Sequence, residues 1–140
     1  MFAIGIWDRK AKCLYLARDF AGIKPLYFGY DGQKLVFASQ YDQVVSHPNF
    51  INNNIDESVL KLYLTQHFLP APFGIIKKTF QVRPGEYVIF NKTGIKTKCR
   101  YWKLPNKFDS LIYDQNEALH VINNALQSSV KSQLTSDVPV

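Results

Sequence analysis

Arg18-Asp19-Phe20-Ala21-Gly22-Ile23-Lys24-Pro25-Leu26-Tyr27-Phe28 is the stretch on which the reading of this chain turns. It interrupts one apolar run, Cys13-Leu14-Tyr15-Leu16-Ala17, and opens another, Leu26-Tyr27-Phe28-Gly29-Tyr30. Both runs are rich in aromatic and aliphatic residues and are short enough to be strands. Arg18 and Asp19 stand at the end of the first strand, where they can pair and hydrogen-bond to backbone. Gly22 permits a backbone geometry that a side chain disfavours. Pro25 fixes φ where the next strand starts. On residues alone this is a turn between two strands, held by its own polar side chains.

Working outward, Phe2, Ile4 and Ile6 alternate with Ala3, Gly5 and Trp7. That is a strand with small residues on one face, joined to Cys13–Ala17 by the polar turn Asp8-Arg9-Lys10-Ala11-Lys12. Asp31-Gly32 signals a tight turn between Pro25–Tyr30 and Leu35-Val36-Phe37-Ala38. Four antiparallel strands, forming a meander over residues 2–38, are expected. Ser39 is placed to cap a short helix through Val45, which Pro48 stops. Asp56-Glu57-Ser58 starts a second helix, with Val59, Leu60, Tyr63, Leu64 and His67 at helical spacing. Arg83-Pro84-Gly85 turns into the strand Glu86-Tyr87-Val88-Ile89-Phe90. Asn91 to Gly94 turns again, and a basic strand runs to about Trp102. Pro105 to Tyr113 reads as a linker. Asp114 then caps a helix to Leu134, with Glu117 three residues on in a capping-box-like pair. Leu119, Ile122, Leu126 and Val130 make an apolar stripe that needs a partner surface.

The 140 residues, 46% hydrophobic and 14% aromatic, suffice for one domain with a core. No apolar run approaches the roughly 18 residues that span a bilayer. No basic segment with a cleavage site opens the chain, so no secretory signal is expected. Cys13 and Cys99 form no CxxC pair and read as two free thiols in a reducing cytoplasm. His47, His67 and His120 have no metal-ligand spacing. The net charge is +6, and residues 77–107 hold nine Lys or Arg against the single acid Glu86. In Ile95 to Trp102 the basic residues fall on alternate positions, as on the wet face of a strand. That argues against a nucleic-acid binder, and no recognised binding module accompanies the charge. The sequence holds no Ser-His-Asp arrangement, no paired carboxylates on one element and no phosphate-cradling glycine loop.

Three segments point further. Arg18 to Phe28 closely resembles the RDxxGIKPLYY signature of class II glutamine amidotransferase domains. Tyr63-Leu64 through Leu69-Pro70-Ala71-Pro72, then Ile76-Lys77-Lys78 and Arg83-Pro84-Gly85-Glu86-Tyr87, is similar to the stretch that follows it in asparagine synthetases. Ser132 to Val140, ending Ser136-Asp137-Val138-Pro139-Val140, resembles the RLxSDVPVG segment entering their synthetase domain. The resemblance runs in order along essentially the whole chain. It departs at Phe37-Ala38-Ser39-Gln40, where the family usually has FASE. It departs again at Phe20-Ala21, where a charged residue or histidine followed by a bulky apolar one is common.

The resemblance implies an α+β fold, part of a four-layer α/β/β/α Ntn-hydrolase-like sandwich with antiparallel sheets. Residues 1–104 would be the C-terminal part of the amidotransferase domain. Residues 105–140 would be the linker and first helix of a synthetase domain lying beyond the chain. The implied parent enzyme takes ammonia from glutamine and amidates aspartate, using ATP and magnesium. Its nucleophile is an amino-terminal cysteine; here Met1 is followed by Phe2, and the ATP-binding loop would fall just past Val140. Both ends therefore look cut from something longer, and the chain alone is expected to be inactive, with no catalytic residue and no metal ligand of its own. Arg18, Asp19, Gly22, Lys24 and Pro25 are implied as a structural motif, and Met1 and Lys24 as lining of the ammonia passage. Self-association is expected, because an uncovered half-sandwich and an unpartnered helix stripe invite pairing. The rival readings are an amidotransferase acting on another carboxylate and a non-catalytic, stand-alone interaction domain.

Overall fold

The computed structural model describes residues 1–105 and 111–134. They form two compact units, Met1–Leu104 and Pro105–Val140. Asn106 to Ser110 of the expected linker, and the Thr135–Val140 end of the third segment above, lie outside the described residues.

The first unit is two antiparallel sheets packed face to face. One has four strands in the order β1 (Ala3–Asp8), β2 (Cys13–Arg18), β6 (Glu86–Asn91), β7 (Gly94–Arg100); the other has three, in the order β4 (Leu35–Ala38), β3 (Tyr27–Tyr30), β5 (Thr79–Gln81). The expected strands exist, but residues 2–38 are not a meander. β1–β2 and β3–β4 are separate hairpins in separate sheets. The reason is the turn at Arg18–Pro25, which hands the chain from one layer to the other. Leu16, Val88 and Phe90 from the first sheet then meet Leu26, Phe28 and Val82 from the other side in one buried cluster. Phe28 sits edge-on to Phe90 with centroids 5.4 Å apart. Pairing β2 with β3 in one sheet would leave these apolar faces in water, at a cost of about 2 kcal/mol per large side chain. The small inner face of β1 has a clear use: a Cβ on Gly5 would fall 2.6 Å from the Phe37 ring across the sandwich.

A helical layer covers the outside of the three-stranded sheet. Helix α1 (Tyr41–Val45) lies there, with Val44 and the following Phe50 fully buried. Gly29 on β3 makes room, since a Cβ would lie 2.8 Å from the Phe50 ring. Gln40, not Ser39, is the N-cap of α1, and its side chain makes no capping bond. The second helix, α2 (Glu57–Gln66), starts as the sequence implies. Asp56 is its N-cap and accepts from the amides of Ser58 and Val59. Strand β5 escapes a periodicity reading because three residues are too short to show a period. Its register, Phe28 opposite Phe80, supplies the missing edge of the sheet.

The outside of the four-stranded sheet is different. Ile6, Asp8, Tyr15, Ala17, Tyr87 and Ile89 line an open apolar groove of about 540 Å³ on it. Among the described residues no helix of the first unit lies over this groove. On β7, Lys96, Lys98 and Arg100 are exposed, in keeping with a wet edge strand.

In the second unit, α3 (Gln115–Gln133) is capped by Asp114, whose carboxylate accepts from the Glu117 amide at 2.7 Å. None of its residues is buried, and Leu119, Ile122, Leu126 and Val130 are each more than half exposed. No helix among the described residues is long and apolar enough to cross a membrane.

Candidate functional site

Asp19 is 2% exposed, and its carboxylate is filled by backbone. Oδ1 accepts from the amides of Ala21 and Ile23, both at 3.1 Å. Oδ2 accepts from Lys24 at 3.1 Å and from Phe2 at 3.3 Å. The Asp19 amide in turn donates to the Phe2 carbonyl at 2.9 Å. Burial alone pushes this carboxyl's pKa up. The amides of Lys24, Ile23, Phe2 and Gly22 outweigh that and bring it down to about 2.

Arg18 points the other way. The sequence allowed Arg18 and Asp19 to pair, but they do not, because consecutive residues leaving a strand project to opposite faces. The Arg18 guanidinium is spent on carbonyls instead: Nε to Lys24 at 2.8 Å, Nη1 to Val82 at 2.9 Å and Nη2 to Gly22 at 2.7 Å. Burial lowers its pKa, opposed by Tyr27 and Asp19. Two side chains of opposite charge thus staple one loop from its two sides.

Gly22 has φ +69°, and a Cβ there would lie 2.6 Å from Pro84 and 3.2 Å from the Arg18 guanidinium carbon. Pro84 therefore packs directly on the loop. The Gly85 amide donates to the Asp19 carbonyl at 3.0 Å, and the Gly85 carbonyl accepts from Tyr101 and Trp102. Tyr101 donates its hydroxyl to the Arg18 carbonyl at 2.6 Å. Tyr101 and Trp102 were not singled out from sequence; only the aromatic pair after a basic strand hinted at them. Pro25 is partly buried one residue before Leu26, whose carbonyl receives the Val82 amide. The Lys24 side chain is exposed and so is Met1, at 69%; Lys24 reaches Asp19 through its backbone amide.

Neither thiol lies at this turn. Cys13 is buried at the start of β2 and donates to the Ala11 carbonyl at 3.3 Å. Cys99 faces Tyr87 across the β6–β7 ladder, and its hydrogen bond raises the Tyr87 pKa. Among the described residues no three His, Cys, Asp or Glu side chains converge.

Residues 1–102 match the family model of the glutamine amidotransferase domain, and the chain belongs to that family. It is 32% identical over 143 residues to a Methanocaldococcus jannaschii protein assigned as a glutamine-hydrolysing asparagine synthetase, covering 100% of this chain and 27% of that protein. It is 30% identical over 141 residues to the glutamine-hydrolysing asparagine synthetase 3 of Bacillus subtilis, covering 100% and 22%. An amidase of Gibberella zeae is 27% identical over 144 residues, covering 99% and 20%. The chain thus spans about a quarter of the length of these relatives.

Replacing Asp19 by Ala leaves four backbone donors without their acceptor and is expected to cost about 3 kcal/mol in urea denaturation at pH 7. Asp19→Asn separates charge from shape. With a folded pKa of about 2, below that of an unfolded aspartate, the native carboxylate contributes stability that is complete above about pH 5 and fades as pH falls towards 2, about 2 kcal/mol in all. The wild-type stability should therefore fall more steeply between pH 5 and 2 than that of Asp19→Asn. Parallel curves would show that the carboxylate is not held as described.

Proposed function

We propose that this chain is the later part of the amidotransferase unit of a glutamine-hydrolysing asparagine synthetase, together with the lead-in to its acceptor domain. The observation that carries the reading is alignment with two such synthetases over the full length of the chain, not over the first unit alone. Met1–Leu104 would supply two antiparallel sheets and one helical layer of a four-layer α/β/β/α sandwich. The bare outer face of the four-stranded sheet would receive the other helical layer. Pro105–Val140 would be the linker and the first helix of the synthetase domain, and the exposed stripe of α3 supports a partner surface there.

In the whole enzyme, glutamine would be hydrolysed through a thioester on an amino-terminal cysteine outside this chain. Attack of that thiolate on the side-chain amide expels ammonia, and water then releases glutamate. The ammonia would pass to a second site and amidate aspartate activated by ATP with magnesium. This chain's part is to hold the wall between the two sites. Met1 and Lys24 are proposed on that wall: their neighbours, the amides of Phe2 and Lys24 itself, converge on one oxygen of Asp19. The enzyme is taken to be cytoplasmic, which the two free thiols support. A second reading, with a different acceptor, is favoured by the similarity to the fungal amidase; acceptor choice would reside in the domain beyond α3.

Alone, the chain is expected to release no ammonia from glutamine above a buffer blank. Release that disappears in Cys13→Ser or Cys99→Ser would contradict the assignment of the nucleophile to another segment. The chain is also expected to self-associate through α3. Light scattering should give a mass above that of one chain, returning to one chain when Ile122 and Leu126 are both changed to Glu. A single-chain mass for the unaltered protein at high concentration would refute this.

A further inference from the structure

We propose that Tyr101 and Trp102 are a clasp that sets the conformation of the Arg18–Lys24 loop from the segment leaving the first unit. Their role in an enzyme rests on the function proposed above.

The connections run in series. The Tyr101 hydroxyl holds the Arg18 carbonyl at 2.6 Å. The amides of Tyr101 and Trp102 share the Gly85 carbonyl at 2.9 and 3.2 Å, and the Gly85 amide holds the Asp19 carbonyl at 3.0 Å. The Trp102 ring lies against Phe20, centroids 5.2 Å apart and tilted by 49°. Gly85 has φ +67°, and a Cβ there would sit 2.8 Å from the Trp102 carbonyl oxygen. The clasp therefore closes only over glycine. Arg18 and Asp19, whose side chains hold the loop, are both reached within two steps of Tyr101–Trp102.

Exposure tells what kind of contact this is. Trp102 is 37% exposed and Phe20 56%, whereas the core beneath them is closed. A contact half in water, resting on a few hydrogen bonds, opens at lower free energy than the sheets it joins. The clasp can thus release while β2 and β6 stay paired. When it releases, the Arg18 carbonyl loses the Tyr101 hydroxyl and the Gly85 carbonyl loses both amides, and the loop is left with the bonds of the Asp19 carboxylate and the Arg18 guanidinium. Those bonds are the ones that place Phe2 and Lys24. The structure thus assigns Tyr101 and Trp102 as positioning residues, through which tension or order in the segment after residue 102 reaches the wall proposed to carry ammonia.

The test is residue-resolved amide hydrogen exchange on the 140-residue chain, with Tyr101→Phe, Trp102→Ala and the conservative Trp102→Phe. Tyr101→Phe and Trp102→Ala are expected to speed exchange at Ala21, Ile23, Lys24 and Gly85 by tenfold or more. Amides of β3 and β5 should stay within twofold, and Trp102→Phe should keep the wild-type pattern. Unchanged exchange in the loop would overturn the proposal. So would a uniform rise across all strands, which would make the two residues ordinary contributors to stability. The measurement needs no glutaminase activity, so its outcome is independent of the ammonia assay that tests the function.

Discussion

One carboxylate organises the junction of this molecule. Asp19 is buried where the chain leaves the first sheet, and buried charge is tolerated only when its hydrogen-bonding capacity is met. Four amides meet it, from Phe2 at the start of β1 and from Ala21, Ile23 and Lys24 in the loop. The requirement works in both directions. The loop needs an acceptor for amides that no strand can pair, and the acceptor needs donors arranged around it. Together they fix the direction in which β3 departs, and so decide that the second hairpin crosses to the opposite layer.

The rest of the first unit follows from that crossing. Phe28 comes to lie on Phe90, Phe37 enters the space over Gly5, and Arg18 reaches the Val82 carbonyl, tying the residue that follows β5 to the loop. At this joint Gly22 and Gly85, both at positive φ, stand where a side chain would meet a neighbour too closely. One accepts Pro84, the other the Trp102 carbonyl. The two sequence signatures, about sixty residues apart, are therefore halves of one interlocked joint.

What the sequence revealed, and what it hid, follows the range of the interactions. Asp114 is legible as a helix cap and Asp56 as part of a helix start because such acceptor geometry is local, and both residues cap their helices. The Arg18-Asp19 turn was legible as a turn and as a family signature. Its pairing logic was not, because each side chain bonds backbone rather than the other. The meander failed because alternation within a strand does not say which sheet the strand joins. Tyr101 was invisible as a site residue: its hydroxyl acts on Arg18, 83 positions away in the chain. Lys24, by contrast, stands out in the signature, while its backbone makes the structural contacts.

The most direct test of the account is an NMR titration of the Asp19 side-chain carboxyl carbon in the intact chain. Titration with a midpoint near 2, accompanied by loss of protection at the Ile23 and Lys24 amides, is the predicted result. A midpoint in the ordinary aspartate range, with those amides protected throughout, would contradict the claim that this carboxylate holds the joint together.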